Sequence, residues 1–325
     1  MIKFLLDVGG EFGFGNLNRC LPIHLQFIKK KISSQIFFNS PVKQSFKQKN
    51  LHYVNWHNKL YKLNINSEDI IIVDTYNINA RDLNYLDKSC LKIYIIDDFG
   101  KKIFKKYTII DWSISSFAAN KLKISQKRNI IGSKYAPVKE KFFNKEIKIK
   151  QNLKRIFLSF GGSNLNNNAI SIIKHLLVNY SQFEFNFFYI STKNSKAINK
   201  LEKKYKNFKQ FKNLSEELYI MHLTKSDLAI VAGGHILFEL ALIGMPTIQL
   251  RSTYNQIVSI PWRYTGFSKY AGLINSRNVF VKIDRAIKYF NLFVNRFNSS
   301  QNGKKLINKN GTKNLVNKIC QNHNL

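Results

Sequence analysis

His235 and Glu239 stand four residues apart in VAGGHILFELALIGMPTIQL, so a helix carrying them presents both on one face. The glycines before them, Gly233 and Gly234, let the backbone approach a ligand. A helix starting there offers free N–H groups to an anion such as phosphate. A carboxylate near the start of that helix is then placed to accept hydrogen bonds from ribose hydroxyls. An acid that merely complements the helix dipole would look the same. Spacing alone leaves both readings open.

Other groups with chemical potential follow apolar runs. Gly13, Gly15, Asn16 and Arg19 in GFGNLNR join a glycine-rich turn to an amide, which reads as a helix N-cap, and a guanidinium. Asp74 and Tyr76 close one run, Asp97 and Asp98 close another, and Gly162 and Ser163 follow LSFG. Asp98 reads as a turn or solvated loop acid. His52 and His57, in LHYVNWH, are spaced wrongly for one helix face and read as a loop or strand feature rather than a metal site. There is no HExxH and no CxxC, and Cys20, Cys90 and Cys320 stand far apart. No metal and no cofactor are expected, and a reducing, cytoplasmic location is.

These groups need elements to hold them. Asp227–Arg251 is a long apolar run whose one charged interior residue is Glu239, which makes it a candidate membrane span. Its punctuation favours strand (Asp227–Val231), glycine turn, helix (His235–Ile243), a Gly-Met-Pro stop and strand (Thr247–Leu250). Such a βαβ unit buries both parallel strands, which accounts for the lack of charge. The same grammar appears at Ile2–Asp7 and again at Arg155–Phe160, with further strands at 35–38, 69–74, 91–97, 107–111, 184–190 and 208–211. Val279–Phe290 reads as amphipathic and Lys304–Cys320 as a basic terminal helix. The charged stretch NKEIKIKQN places a domain boundary between residues 148 and 149. The architecture expected is α/β: two facing Rossmann-like domains, 1–148 and 149–325, with ligands in an interdomain cleft at strand carboxyl ends.

A chain of 325 residues with 44% hydrophobic content can bury two ordinary cores. Lys and Arg number 52 against 19 Asp and Glu, a formal charge of +33. The positive charge is spread, lysine far outnumbers arginine, and Asn and Ile are abundant, as a genome-wide compositional bias would produce. Charge is therefore weak ground for a nucleic-acid partner, although it would suit peripheral contact with a membrane. The opening MIKFLLDVGGEF reaches Asp7 too soon for a signal peptide.

GFGNLNR resembles the G-x-G-H-x-x-R opening of the pseudaminic-acid pathway nucleotide-sugar hydrolases and their spore-coat polysaccharide relatives. The resemblance continues in order through IIVDTY, IIDDFG, IIGSKYAPVKEKFF, LSFGGSN, AGGHILFELALIGMPTIQL and Asn255-Gln256, over nearly the whole chain. More distantly the pattern is similar to GT-B glycosyltransferases acting on lipid-linked muramyl peptides. The resemblance implies a GT-B fold, a UDP-diacetamido-trideoxy sugar as substrate, and attack of water at the anomeric carbon without a metal. It implies that Gly233 and Gly234 hold the diphosphate and that Glu239 takes the uridine ribose. Asn255 and Gln256 would face phosphate or sugar, Tyr76 would line the sugar site, and Gly13–Gly15 would border it. A monomer is expected.

One departure from the family matters most. Its His, the base or water-positioning residue, is Asn16 here, and an amide cannot accept a proton at neutral pH. His235 also replaces a small residue; it could touch the diphosphate, stand in as the base, or simply pack. Transfer to an acceptor hydroxyl and a degenerate sugar-nucleotide binder remain as alternatives, as does RNA binding by charge alone.

Overall fold

Runs of Ile, Leu, Val and Phe with almost no charge form strands only if both faces are covered, and the computed structural model of the chain covers them with helices. It describes residues 1–9, 13–41, 50–161, 167–190 and 194–325. In chain order the first strands are β1 (Ile2–Asp7), β2 (Ser34–Asn39), β3 (Leu51–Tyr53), β4 (Ile70–Asp74), β5 (Lys92–Ile96), β6 (Thr108–Asp111) and β7 (Ile130–Ile131). Helices α1 (Gly15–Lys29), α2 (Ala80–Ser89) and α3 (Phe117–Leu122) connect them. All pair in parallel, in the order β3-β2-β1-β4-β5-β6-β7. Leu5, Val73, Ile95 and Ile109, one from each central strand, enter a single core with Trp56, Leu83 and Phe104.

The second sheet repeats the scheme with β8 (Arg155–Ser159), β9 (Glu184–Tyr189), β10 (Phe208–Lys212), β11 (Leu228–Ala232), β12 (Thr247–Arg251) and β13 (Ser268–Leu273). Its order is β10-β9-β8-β11-β12-β13, again parallel. Helices α4 (Asn167–Asn179), α5 (Ser195–Lys204), α6 (Glu216–Thr224), α7 (Ile236–Ile243), α8 (Val279–Asn291) and α9 (Phe293–Leu306) accompany it. The stretch 227–251 is thus β11, a glycine turn, α7 and β12. Among the described residues no helix is long and apolar enough to cross a membrane.

The chain ends in α10 (Gly311–His323), which packs against α1 in the first unit. Gly311 sits so close to the Ala136 carbonyl that no Cβ would fit, and Asn314 Nδ2 donates to the Lys134 carbonyl at 3.1 Å. The compact units are accordingly Met1–Val138 with Lys309–Leu325, and Lys139–Asn308. A boundary at 148 follows the charged stretch, whereas the fold divides just before it and returns the terminal helix to the first unit. The expected single helix 304–320 is also two, because Ile307 is extended and buried between α9 and α10.

Candidate functional site

In an open parallel sheet, ligands bind where strand order reverses, outside the carboxyl ends of the two strands concerned. In the first unit the chain leaves β1 towards β2 and β3, then returns to β4 on the other side, so the reversal lies between β1 and β4. Asn16 is there. Its Nδ2 donates to the Asp7 carbonyl (3.2 Å) and the Asp74 carbonyl (3.0 Å), tying the last residues of those two strands together. Asn16 is not the N-cap: α1 starts at Gly15, with Phe14 in the capping position and no side-chain cap. Gly13, with φ of 63°, turns the chain into that helix, and its carbonyl accepts from Gly9 N–H at 2.6 Å.

Beside Asn16 lies a buried ionic network. Arg19 reaches Asp74 through both Nε (2.7 Å) and Nη2, and Asp98 through Nη1 (3.1 Å). Its guanidinium lies 5.7 Å from the centre of the Trp112 ring. Burial works against the Arg19 charge, but Asp74 and Asp98 outweigh it and hold the group well above its ordinary pKa. The Tyr76 hydroxyl donates to Asp98, so Asp98 belongs to the Arg19 network rather than to a turn. The turn belongs to Asp97, whose carboxylate accepts from the N–H groups of Phe99, Gly100 and Lys101 at 2.8–2.9 Å. Asp111 likewise accepts from Ser113, Ala118 and Ala119 N–H and anchors α3; burial pushes it up to about 6.

In the second unit the reversal lies between β8 and β11. After β11, Gly233 N–H donates to the Leu250 carbonyl at 2.7 Å, and Gly234 follows with φ of 134°. A Cβ on Gly233 would run into the Ser259 hydroxyl, while one on Gly234 would meet open space. Gly233 is therefore demanded by packing and Gly234 by its backbone angle. Gly233→Ala is expected to cost about 1–3 kcal/mol by overpacking. Urea unfolding reads this, and Ser259→Gly in the same chain should recover most of it.

His235 stands at the N-cap position of α7 without a side-chain cap bond, and its ring stacks on Phe238 at 5.4 Å. Glu239 lies one turn on, only 8% exposed. Burial pushes its carboxyl up to about 7, with Lys139 acting against that and Glu216 with it. Lys139 itself pairs with Glu216 at 2.6 Å. Glu239 is thus a buried acid near charges, and among the described residues it has no donor set like the one that steadies Asp97. The 3-10 segment Tyr254–Tyr264 holds Ser259 against the glycine turn. Buried Gln249 on β12 secures that segment, donating to the Ser259 carbonyl at 2.6 Å.

No protein-family model matches the chain. A protein of Methanocaldococcus jannaschii described as uncharacterised is 22% identical over 277 residues, 77% of this chain and 55% of its own length. The chain therefore spans about half of that curated relative. Solved structures resemble it over nearly the whole of both chains. The UDP-GlcNAc 2-epimerase of Neisseria meningitidis, bound to UDP-GlcNAc, gives a TM-score of 0.67 at 13% identity, covering 98% and 99%. Acinetobacter baumannii MurG gives 0.66 at 10%, covering 98% and 99%. WaaG, a glycosyltransferase involved in lipopolysaccharide biosynthesis, gives 0.55 at 12%, covering 99% of each. The chain has the GT-B fold.

Within this GT-B chain the expected site residues fall into four sets. Gly13, Gly15, Asn16, Arg19 and Tyr76 gather at the β1/β4 reversal, and Gly233, Gly234, His235 and Glu239 at the turn after β11. Gln256 has structural work: its Oε1 accepts from Ser252 N–H (2.7 Å), Ser252 Oγ (3.2 Å) and Thr253 N–H (3.3 Å). Thr253-x-x-Gln256 is a capping box, a four-residue signal that the family resemblance overshadowed. Gly162, Ser163 and the Asn255 side chain lie outside the described residues. The sequence reading missed Asp7, Thr75 and His57, which meet only because β1, β4 and the loop after β3 end together.

Proposed function

We propose that the protein acts on a UDP-sugar, breaking the bond between the anomeric carbon and the diphosphate. Gly233, Gly234 and the start of α7 take the diphosphate, and Glu239 takes the ribose. The observation that carries this reading is Glu239. A carboxylate buried one turn into a helix, at a strand-order reversal behind two glycines, is poorly served by the fold and well served by two ribose hydroxyls. The fold likeness to enzymes solved with UDP-GlcNAc supports the same ligand class. Following the sequence resemblance, the nucleophile is water and the sugar a diacetamido-trideoxy hexose, in surface-glycan synthesis. The free thiols of Cys20, Cys90 and Cys320 suit a cytoplasmic setting.

Transfer to an acceptor hydroxyl is the second reading. The exposed Tyr61 (64%), Leu25 and Ile28 of the first unit favour it, lying in a lysine-rich sequence where a lipid-linked acceptor could dock. The fold likeness to MurG and WaaG supports it too.

Thermal unfolding in the presence of UDP, UDP-GlcNAc, CMP and GDP tests the common core. UDP at about 100 times its Kd should add about 2.7 kcal/mol, with CMP and GDP far weaker. UDP release without an acceptor then separates hydrolysis from transfer. Absence of any shift with millimolar uridine nucleotides would refute both readings.

A further inference from the structure

An arginine that a fold withdraws from water is normally served by acceptors, because its guanidinium carries five N–H donors and never gives up its charge. Among the described residues four arginines are not freely exposed, and three follow the rule. Arg19 pairs with Asp74 and Asp98, and Arg155 with Glu184. Arg296 leaves its Nε unbonded but places both Nη atoms on the carbonyls of Phe290, Asn291, Lys150 and Gln151. Arg251 is the fourth. It is half-buried, and its Nε is shut off from solvent with no hydrogen-bond partner among the described residues.

The sheet carries this side chain to the glycine turn. In the register of β12 on β11, Leu250 lies level with Ala232, so Arg251 is level with Gly233. Neighbouring strands run about 4.8 Å apart. Strand alternation then decides the face. Ile248 and Leu250 enter the core with α4 and α8, so Gln249 and Arg251 stand on the opposite side of the sheet. On that side Gln249 donates to the Ser259 carbonyl, and Ser259 is the residue pressed against Gly233. Arg251 therefore stands one step beyond Gln249 at the carboxyl edge, beside the turn and on the turn's own side. Gly234 borders open space there, since a Cβ on it would meet nothing.

We propose that Arg251 is the cation that binds the diphosphate of the nucleotide. The inference rests on the UDP-sugar reading above and lies wholly within the second unit. A guanidinium matches the oxygens of a phosphate group with parallel N–H bonds, and the charge strengthens each of them. The glycine turn and the start of α7 hold the remaining oxygens. A withdrawn arginine without a protein acceptor is then explained, because its acceptor arrives with the ligand. A carboxylate on the sugar would satisfy the same guanidinium, but the level of Arg251 beside Gly233 favours the diphosphate, and the two are separable by experiment.

The test compares the whole wild-type protein with Arg251→Gln and Arg251→Lys. Calorimetry with UDP should show Arg251→Gln weaker by about 10–150-fold, the loss of charge-assisted hydrogen bonds. Uridine affinity, read by saturation-transfer NMR, should stay at the wild-type value. Arg251→Lys should recover part of the UDP affinity, since it keeps the charge and loses the fork. Urea unfolding without ligand should find Arg251→Gln no less stable than wild type, because the removed group has no partner in the fold. Wild-type UDP affinity in Arg251→Gln would overturn the proposal. So would equal losses for uridine and UDP, or a loss that merely follows stability. An effect confined to UDP-glucuronate, with UDP unchanged, would assign the cation to a sugar carboxylate and overturn it as well. A wild type that binds no uridine nucleotide would instead bring down the functional reading, and this inference with it.

Discussion

Replacing Glu239 is expected to strengthen the fold at alkaline pH and to weaken uridine nucleotide binding. Burial sets the Glu239 carboxyl at about 7 against an ordinary 4.5. Below pH 4.5 it is protonated in both folded and unfolded chains, and it contributes nothing to the pH dependence there. Between 4.5 and 7 the unfolded chain ionises while the folded one resists, so stability falls through that window. The loss is complete above 7 and amounts to about 3 kcal/mol. Glu239→Gln removes the titration. Its unfolding free energy should match wild type at pH 4 and exceed it by up to about 3 kcal/mol at pH 8. Glu239→Ala should lose a charge-assisted pair of ribose bonds, about 1.5–3 kcal/mol or about 10–150-fold in UDP affinity. Equal stability at both pH values, together with unchanged UDP affinity by calorimetry, would make Glu239 an ordinary helix acid.

Arg19→Met is expected to destabilise the first unit by about 3–5 kcal/mol. The guanidinium serves two carboxylates, one of them almost wholly buried, and its removal leaves Asp74 and Asp98 facing each other without a counter-charge. The cost is mostly that of the stranded acids rather than of the lost attraction. Asp98→Asn in the Arg19→Met background should therefore recover part of it. Urea unfolding at pH 7 measures both variants; an Arg19→Met loss below about 1 kcal/mol would show that the network is dispensable. The network also carries Tyr76, whose hydroxyl rests on Asp98, so a folded Arg19 variant should misplace Tyr76.

The two parallel sheets were legible because buried parallel strands must be apolar on both faces. Ile2–Asp7, Leu228–Ala232 and Thr247–Arg251 show this in their residues alone. The glycines after β11 were legible for a related reason. Gly234 adopts a φ that other residues resist, and Gly244 adopts the left-handed end of α7. Local rules of this kind act between neighbours in the chain, and a sequence displays neighbours directly. Even so, β3, β7 and β13 escaped notice, because two are very short and SKYAGL carries Lys, Tyr and Gly within its six residues.

What the chain order alone determined is therefore the grammar: strand, glycine turn, helix, and a carboxyl edge where ligands bind. Only the tertiary structure assigned work to particular side chains at that edge. Asp97 and Asp98 are adjacent and chemically identical, yet one accepts three backbone N–H groups and the other pairs with Arg19 and Tyr76. Asn16 looked like a cap and instead joins two strand ends; Gln256, expected to face phosphate or sugar, closes a capping box. His57 stands 50 residues from Asp7 in sequence and 2.8 Å from it in space. The physical reason is common to Asn16, Asp98 and His57. A hydrogen bond depends on where strand ends and loops converge, and that is set by sheet order, which no stretch of residues specifies alone.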